Sequence, residues 1–262
     1  MTPWTVLLDD PAGLDLGVLA RFFVAEKKIP LIDAQRLARH AWGFLGRDLD
    51  EPTAFSLVKS AAAAGIITRA VENSDIPVLP DPCSVHGAQF ESDAVIFSVG
   101  HPSKPRALPL AKIQLLSVAM LRHDRFVTKT TKEEVTTGRR IAGLGIMLAT
   151  GIPVGLGKAK ETQKTVAETE WVLFLDIFGD GGRWRAFPSG FDFSGLGGEK
   201  GSVGPENLRR LLARLHRLAP SALLNRGARW WLESRPLNTA GYDEGADVDQ
   251  EARWLLRLAR RS

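Results

Sequence analysis

The first seventy residues restrict this chain more than any other stretch. Their apolar period switches repeatedly between two and nearly four, and each switch falls on a turn or cap signal. Val6, Leu7 and Leu8 read as a short strand that stops at Asp9-Asp10-Pro11. Leu16, Leu19, Ala20 and Phe23 recur at helical spacing over 12–26. Pro30 suits the first turn of a second helix, where its missing N–H costs nothing. There Leu31, Ala34, Leu37 and Ala38 form the expected core stripe, with Asp33, Gln35, Arg36 and Arg39 outward. After Phe44-Leu45, the acids Asp48, Asp50 and Glu51 favour the start of a third helix, with Phe55, Val58 and Ala62 as its core face. Gly65 ends it, because glycine tolerates the left-handed conformation, and 66–71 closes as a strand. The order is strand, helix, helix, strand, helix, strand.

The pattern Pro30-Leu-x-Asp-Ala-x-x-Leu-Ala, a leucine-containing loop, and a helix ending in alanines before Gly65 resembles the C-terminal domain of the bacterial ribosomal stalk protein over residues 4–71. The Clp-protease adaptor has a similar fold. In the stalk family, basic residues on the first helix and at the start of the second contact translational GTPases. Arg21 stands at a matching place beside Leu16, Gly17 and Val24, while Gln35 replaces a lysine. The resemblance implies a docking module, with Arg21, Arg36 and Arg39 as its candidate contacts.

Pro77, Pro80 and Pro82 mark a stiff, extended linker over 73–83, which divides a first domain (1–72) from a second (84–262). Beyond it the period becomes two. Ala94-Val-Ile-Phe-Ser-Val and Trp171-Val-Leu-Phe-Leu-Asp-Ile-Phe178 read as strands, and Gly179-Asp-Gly-Gly182 reads as a hairpin turn returning through Arg183–Phe187. Over 205–218, Leu208, Leu211, Leu212, Leu215 and Leu218 line one helix face and Arg209, Arg210, Arg214 and Arg217 the other. Trp254, Leu255 and Leu258 are expected to pack a final helix back on this domain. The expected fold is α+β: a small α/β module, then an antiparallel β domain with C-terminal helices. The element order over 84–220 weakly resembles pleckstrin-homology-like barrels, which implies binding.

The 124–168 segment is an inserted loop in this reading. It carries an uncharged, glycine-rich run over 141–157, preceded by Arg139-Arg140 and followed by Lys158 and Lys160. A bilayer-spanning helix takes about 20 apolar residues, and this run is shorter and broken by Gly151 and Pro153. It reads either as a contact with a partner or an anionic membrane, or as a hairpin packed on its own sheet.

Catalytic patterns fail on spacing. In the run from Gly151 to Lys158, Ile152 stands where a phosphate loop needs glycine and Ala159 where it needs a hydroxyl. The five histidines are scattered, and Cys83 is the one cysteine. The acids from Asp243 to Glu251 do not match a calcium loop, and Asp247 and Asp249 read as caps of the last helix. Asp176 and Asp192 show no evident partner. The expectation is therefore no catalytic residue, no metal and no cofactor. With one cysteine and no signal-like start, the expected location is cytoplasmic, with peripheral membrane contact as an option. The net charge of +4 is mild. The expected function is an adaptor or scaffold that binds a protein partner, at an anionic membrane surface in one variant. The alternatives are an accessory subunit anchored by the 139–158 loop, or a nucleic-acid binder using the 209–229 arginines (Arg209, Arg210, Arg214, Arg217 and Arg229).

Overall fold

The computed structural model describes residues 2–10, 15–100, 102–132 and 161–260. The apolar run at 139–158 lies outside the described residues. The chain divides into two compact units, Met1–Leu121 with Val172–Ser262, and Arg122–Trp171.

Within the first unit the expected opening order appears: β1 (Trp4–Leu8), α1 (Leu16–Lys27), α2 (Leu31–Arg39), β2 (Phe44–Leu49), α3 (Glu51–Ala63) and β3 (Thr68–Glu72). The caps follow from the sequence. Asp15 accepts the Gly17 and Val18 N–H groups, and Asp50 accepts that of Thr53. Pro30 stands at the cap of α2, one residue ahead of its expected place. The three strands form an antiparallel sheet in the order β2-β1-β3. Val6, Leu7 and Leu8 of the central strand are all buried, so β1 is covered on both faces.

A mixed seven-stranded sheet follows, in the order β10-β7-β8-β9-β4-β5-β6. Its strands are β4 (Cys83–Phe90), β5 (Ala94–Val99), β6 (Lys104–Pro109), β7 (Ile113–Lys132), β8 (Glu161–Gly179), β9 (Gly182–Ala186) and β10 (Leu223–Leu224). The expected purely antiparallel sheet is corrected by two parallel ladders, β4 with β9 and β10 with β7. They arise because non-consecutive strands become neighbours. The hairpin at 179–182 forms as expected, with Asp180 and Gly181 both at positive φ. Three helices complete the unit: α4 (Gly204–Leu218), α5 (Arg226–Leu232) and α6 (Gly245–Ala259). α4 buries Leu208, Leu211, Leu212 and Leu215 against the large sheet, while Leu218 stays partly exposed.

The core crosses the proline-rich segment. One cluster joins Val6, Leu7, Phe22 and Phe23 with Leu115 and Phe178 of the large sheet and Trp254, Leu255 and Leu258 of α6. The Trp254 indole donates to the Leu8 carbonyl at 2.8 Å. Gly43 makes this approach possible: it sits at φ 87°, and a β-carbon there would lie 2.0 Å from the Trp254 ring. The last helix thus covers the N-terminal sheet as well as the domain it follows in sequence.

Candidate functional site

The sequence-predicted arginines separate into two groups. On α4 they hold the segment before the helix. Arg214 donates to the Gly195 carbonyl at 3.1 Å and lies over the Phe90 ring, Arg210 donates to the Glu199 carbonyl, and Arg217 pairs with the Glu199 carboxylate at 3.3 Å. Arg209 donates to Ser234 at 3.1 Å, and Arg229 is half-buried on α5. Arg210, Arg214 and Arg217 brace the fold around the 194–199 turn.

Arg21, Arg36 and Arg39 are exposed, and among the described residues none of them forms an ion pair. Their surroundings differ from the expected pattern. α2 buries Ala34 and Ala38 completely and leaves Leu31 at 53 %, Ile32 at 71 % and Leu37 at 37 % exposure. The expected placement of Leu31 and Leu37 in the core is therefore corrected. α3 behaves alike: Ala54 and Ala61 are buried, while Phe55 is exposed and tilts against Trp4 at 5.4 Å. Phe22 and Phe23 of α1 already fill this layer, so the neighbouring helices contribute small residues to the same cluster. At 100° per residue, Ile32, Arg36 and Arg39 fall within about 60° of arc on α2. The stretch 16–39 carries five basic residues against two acidic ones. This face offers apolar area and positive charge together.

A buried polar seam joins the C-terminal elements to Trp42. Asn225 spans β7, accepting from the Val118 N–H at 2.9 Å and donating to its carbonyl at 3.0 Å, and it also caps Ala228. Asn225 and the Gly227 N–H donate to the Tyr242 hydroxyl at 2.8 and 3.1 Å. That hydroxyl donates to Glu251, which also accepts the Arg226 N–H at 3.0 Å. Burial raises the Glu251 carboxyl above the usual range, and the Tyr242 hydrogen bond and Arg226 charge only partly oppose it. Burial and the Glu251 charge push the Tyr242 phenol well up. Tyr242 stacks on Trp42 at 4.7 Å, and the Arg226 guanidinium lies 4.4 Å from the same indole. Trp42 holds a left-handed φ of 47°, which an ordinary residue adopts only where its surroundings impose it. Each group of the seam is buried, so its chemistry is that of a clamp.

Asp176, expected to be isolated, has two partners. The hairpin register sets it opposite Arg185 and diagonal to Arg183 on one sheet face. Arg185 reaches it at 2.7 Å, and Arg183 spans it and Asp249 of α6 at 2.7 and 2.8 Å. Burial alone would lower the Arg183 pKa, and the two carboxylates overcome it and raise it. Asp249 therefore pairs across to the sheet where helix capping was expected, while Asp247 does close the cap of α6 with Glu244. Asp192 likewise has a partner, in the Ser194 hydroxyl and N–H, which lower its pKa.

Sequence reasoning located the arginines of α1 and α2 and missed Leu31, Ile32 and Leu37 as surface residues. It also missed Trp42 and Tyr242, and it read Arg226 only as part of the basic 209–229 region and Glu251 only as part of the acidic run from Asp243. Only Asn225 carried a usable signal, as a cap residue before a short helix. Compared with protein-family models, curated proteins and solved structures, the chain matches none.

Proposed function

We propose that this chain is a non-catalytic adaptor that docks an acidic, partly apolar segment of a protein partner on the outer face of α1 and α2. The observation that carries this reading is the inverted burial of α2. The helix turns alanines into the core and presents Ile32 beside Arg36 and Arg39, with Leu31 and Leu37 partly exposed on the two flanks of the alanine stripe. Grouped exposed apolar residues with a polar rim mark interaction surfaces, whereas a single exposed leucine does not. The resemblance of 4–71 to a docking domain agrees with it. The test is affinity capture from native lysate with the wild-type chain, with Ile32→Asp and with Arg36→Glu/Arg39→Glu, read by quantitative mass spectrometry. A partner enriched by the wild type and lost by both variants, with melting temperatures unchanged, supports the reading. The same partners at the same yield on both variants sink it.

A second reading, contact with an anionic membrane surface, rests on a different observation. β7 and β8 run for 20 and 19 residues, and Arg122–Trp171 forms a unit of its own. Between them the sequence has no acidic residue from 135 to 160, and it carries Arg139, Arg140, Lys158 and Lys160. No helix among the described residues is long and apolar enough to cross a membrane. Flotation with phosphatidylglycerol vesicles against phosphatidylcholine vesicles tests it. Equal flotation with both, or with neither, removes it. The nucleic-acid reading has the least support, because Arg209, Arg210, Arg214 and Arg217 are engaged within the chain.

A further inference from the structure

Where α2 ends, His40 faces two carboxylates from a segment two hundred residues away. Its Nε2 lies 3.7 Å from Asp243 Oδ2, and its Nδ1 lies 3.7 Å from Asp247 Oδ1. One donor atom from each of the three residues lies within 4.8 Å of the others. We infer that His40, Asp243 and Asp247 form a binding site for a divalent transition cation of the zinc type, tying the end of α2 to the start of α6. This goes beyond the docking reading and does not depend on it.

The donor set is one imidazole nitrogen and two carboxylate oxygens, which suits such a cation with water completing the coordination. With metal–ligand bonds of about 2.1 Å, tetrahedral ligands stand about 3.4 Å apart. The two 3.7 Å distances run to different ring nitrogens, and a set with one nitrogen is held only within 4.8 Å, so the donors must close in, and the adjustable member is at hand. Asp243 is 79 % exposed, so its carboxylate can swing inward without disturbing the core.

The other carboxylate is already aimed. Asp247 is only 14 % exposed, and its Oδ1 accepts the Trp42 indole N–H at 2.7 Å. Its Oδ2 accepts the Asp243 and Glu244 N–H groups at 2.9 and 3.3 Å. Outer-shell donors of this kind orient a ligating carboxylate. The indole itself is fixed by the Tyr242 stack and by its left-handed backbone, and it meets His40 edge-on at 6.4 Å. A free helix start would favour an anion through its exposed N–H groups. Here the capping box between Glu244 and Asp247 occupies them, so the side facing His40 presents carboxylate oxygen. The opposing charges nearby are Arg39, whose stem passes beside Gly241, and Arg226 on the Trp42 ring.

The test is titration of the metal-free full-length chain with zinc chloride by isothermal calorimetry at slightly alkaline pH, since a histidine ligand must be deprotonated. Cobalt chloride serves as a spectroscopic substitute. His40→Gln and Asp243→Asn are the variants, because both sit outside the core. One saturable site is expected, weakened at least about tenfold by each substitution. Zinc should raise the melting temperature of the wild type and leave that of His40→Gln unmoved. No saturable binding by the wild type overturns the site and leaves His40 as a partner of the two aspartates. Undiminished binding by both variants also overturns it, since the metal would then sit elsewhere.

Discussion

Helices α2 and α4 carry the same kind of sequence, with apolar residues at helical spacing and arginines between them, yet the fold uses them in opposite ways. α4 buries its leucines on the large sheet and binds its arginines to the turn at 194–199. α2 buries its alanines and leaves its leucines, isoleucine and arginines outside. An amphipathic period shows that a helix has two faces. Which apolar residues take the inner face depends on the volume left by the neighbours. α4 meets a sheet face that needs filling, whereas α2 packs into a layer that already holds Phe22 and Phe23. A bound arginine braces the fold; an unbound one beside exposed apolar area is available to something else.

The comparison is tested most severely where charges are most enclosed. Asp176 is fully buried between Arg183 and Arg185. Asp176→Asn removes the charge and keeps the shape, so the enclosed arginines lose their compensation. Breaking a buried pair from one side costs about 4 kcal/mol, and urea unfolding should show a loss of that size. A loss below about 1 kcal/mol would mean that enclosed arginines here do not depend on their partners, and the distinction between bound and unbound charge would fail.

The apolar side of the comparison is next. Leu212 is fully buried in α4, and Leu212→Ala should cost about 3 kcal/mol through lost transfer energy and a residual cavity. Ile32→Ala on α2 should change stability by less than about 0.5 kcal/mol. Denaturation midpoints of the two variants check both. Equal losses would mean that α2 is not turned outward.

Much of this arrangement was legible before any coordinates. The six-element order of 4–72 follows from the apolar spacing together with Pro30, Asp50 and Gly65, which act locally. The Asp176–Arg185 pair was not read, and Asp176 was expected to stand alone, although the 179–182 hairpin that was read fixes the cross-strand register that makes the pair. The α2 orientation was not legible, because it depends on the bulk of α1. The placement of Trp254 against Leu8 was not either, since no local signal connects residues 246 positions apart. The proposed docking face was half legible: its arginines were found, but Leu31 and Leu37 were assigned to the core by a rule that assumes the largest residues go inside.

The buried seam sharpens the comparison from the polar side, because its groups are enclosed as fully as leucines. Tyr242→Phe leaves donors on Asn225 and Gly227 without their shared acceptor, at a cost of about 2 kcal/mol. Glu251 adds a pH signature. Its carboxyl is raised in the folded chain, so the native state holds the proton more tightly than the unfolded one. Its contribution is fully present below the usual carboxyl pKa and is lost as pH rises through the folded value. Glu251→Gln should flatten that decline when urea midpoints are compared from acid to neutral pH. An unchanged slope would assign the decline to other groups.

The smallest stability effects discriminate best between the two helices. Arg214→Ala loses the hydrogen bond to Gly195 and the contact over Phe90, and about 1 kcal/mol should go with them. Arg36→Glu with Arg39→Glu removes no internal partner among the described residues, so the change should stay within about 0.5 kcal/mol. The functional readout should run the other way. Reversing two charges beside Ile32 should abolish capture of an acidic partner, while Arg214→Ala should leave capture intact, because the α4 arginines face the chain's own turn. Thermal melts and quantitative capture on the same four proteins (wild type, Arg214→Ala, the double reversal and Ile32→Asp) place each on two axes. Bracing residues move along the stability axis and docking residues along the capture axis. If the α2 double reversal falls on the stability axis instead, α2 is a second brace, and the adaptor reading loses the observation that carries it.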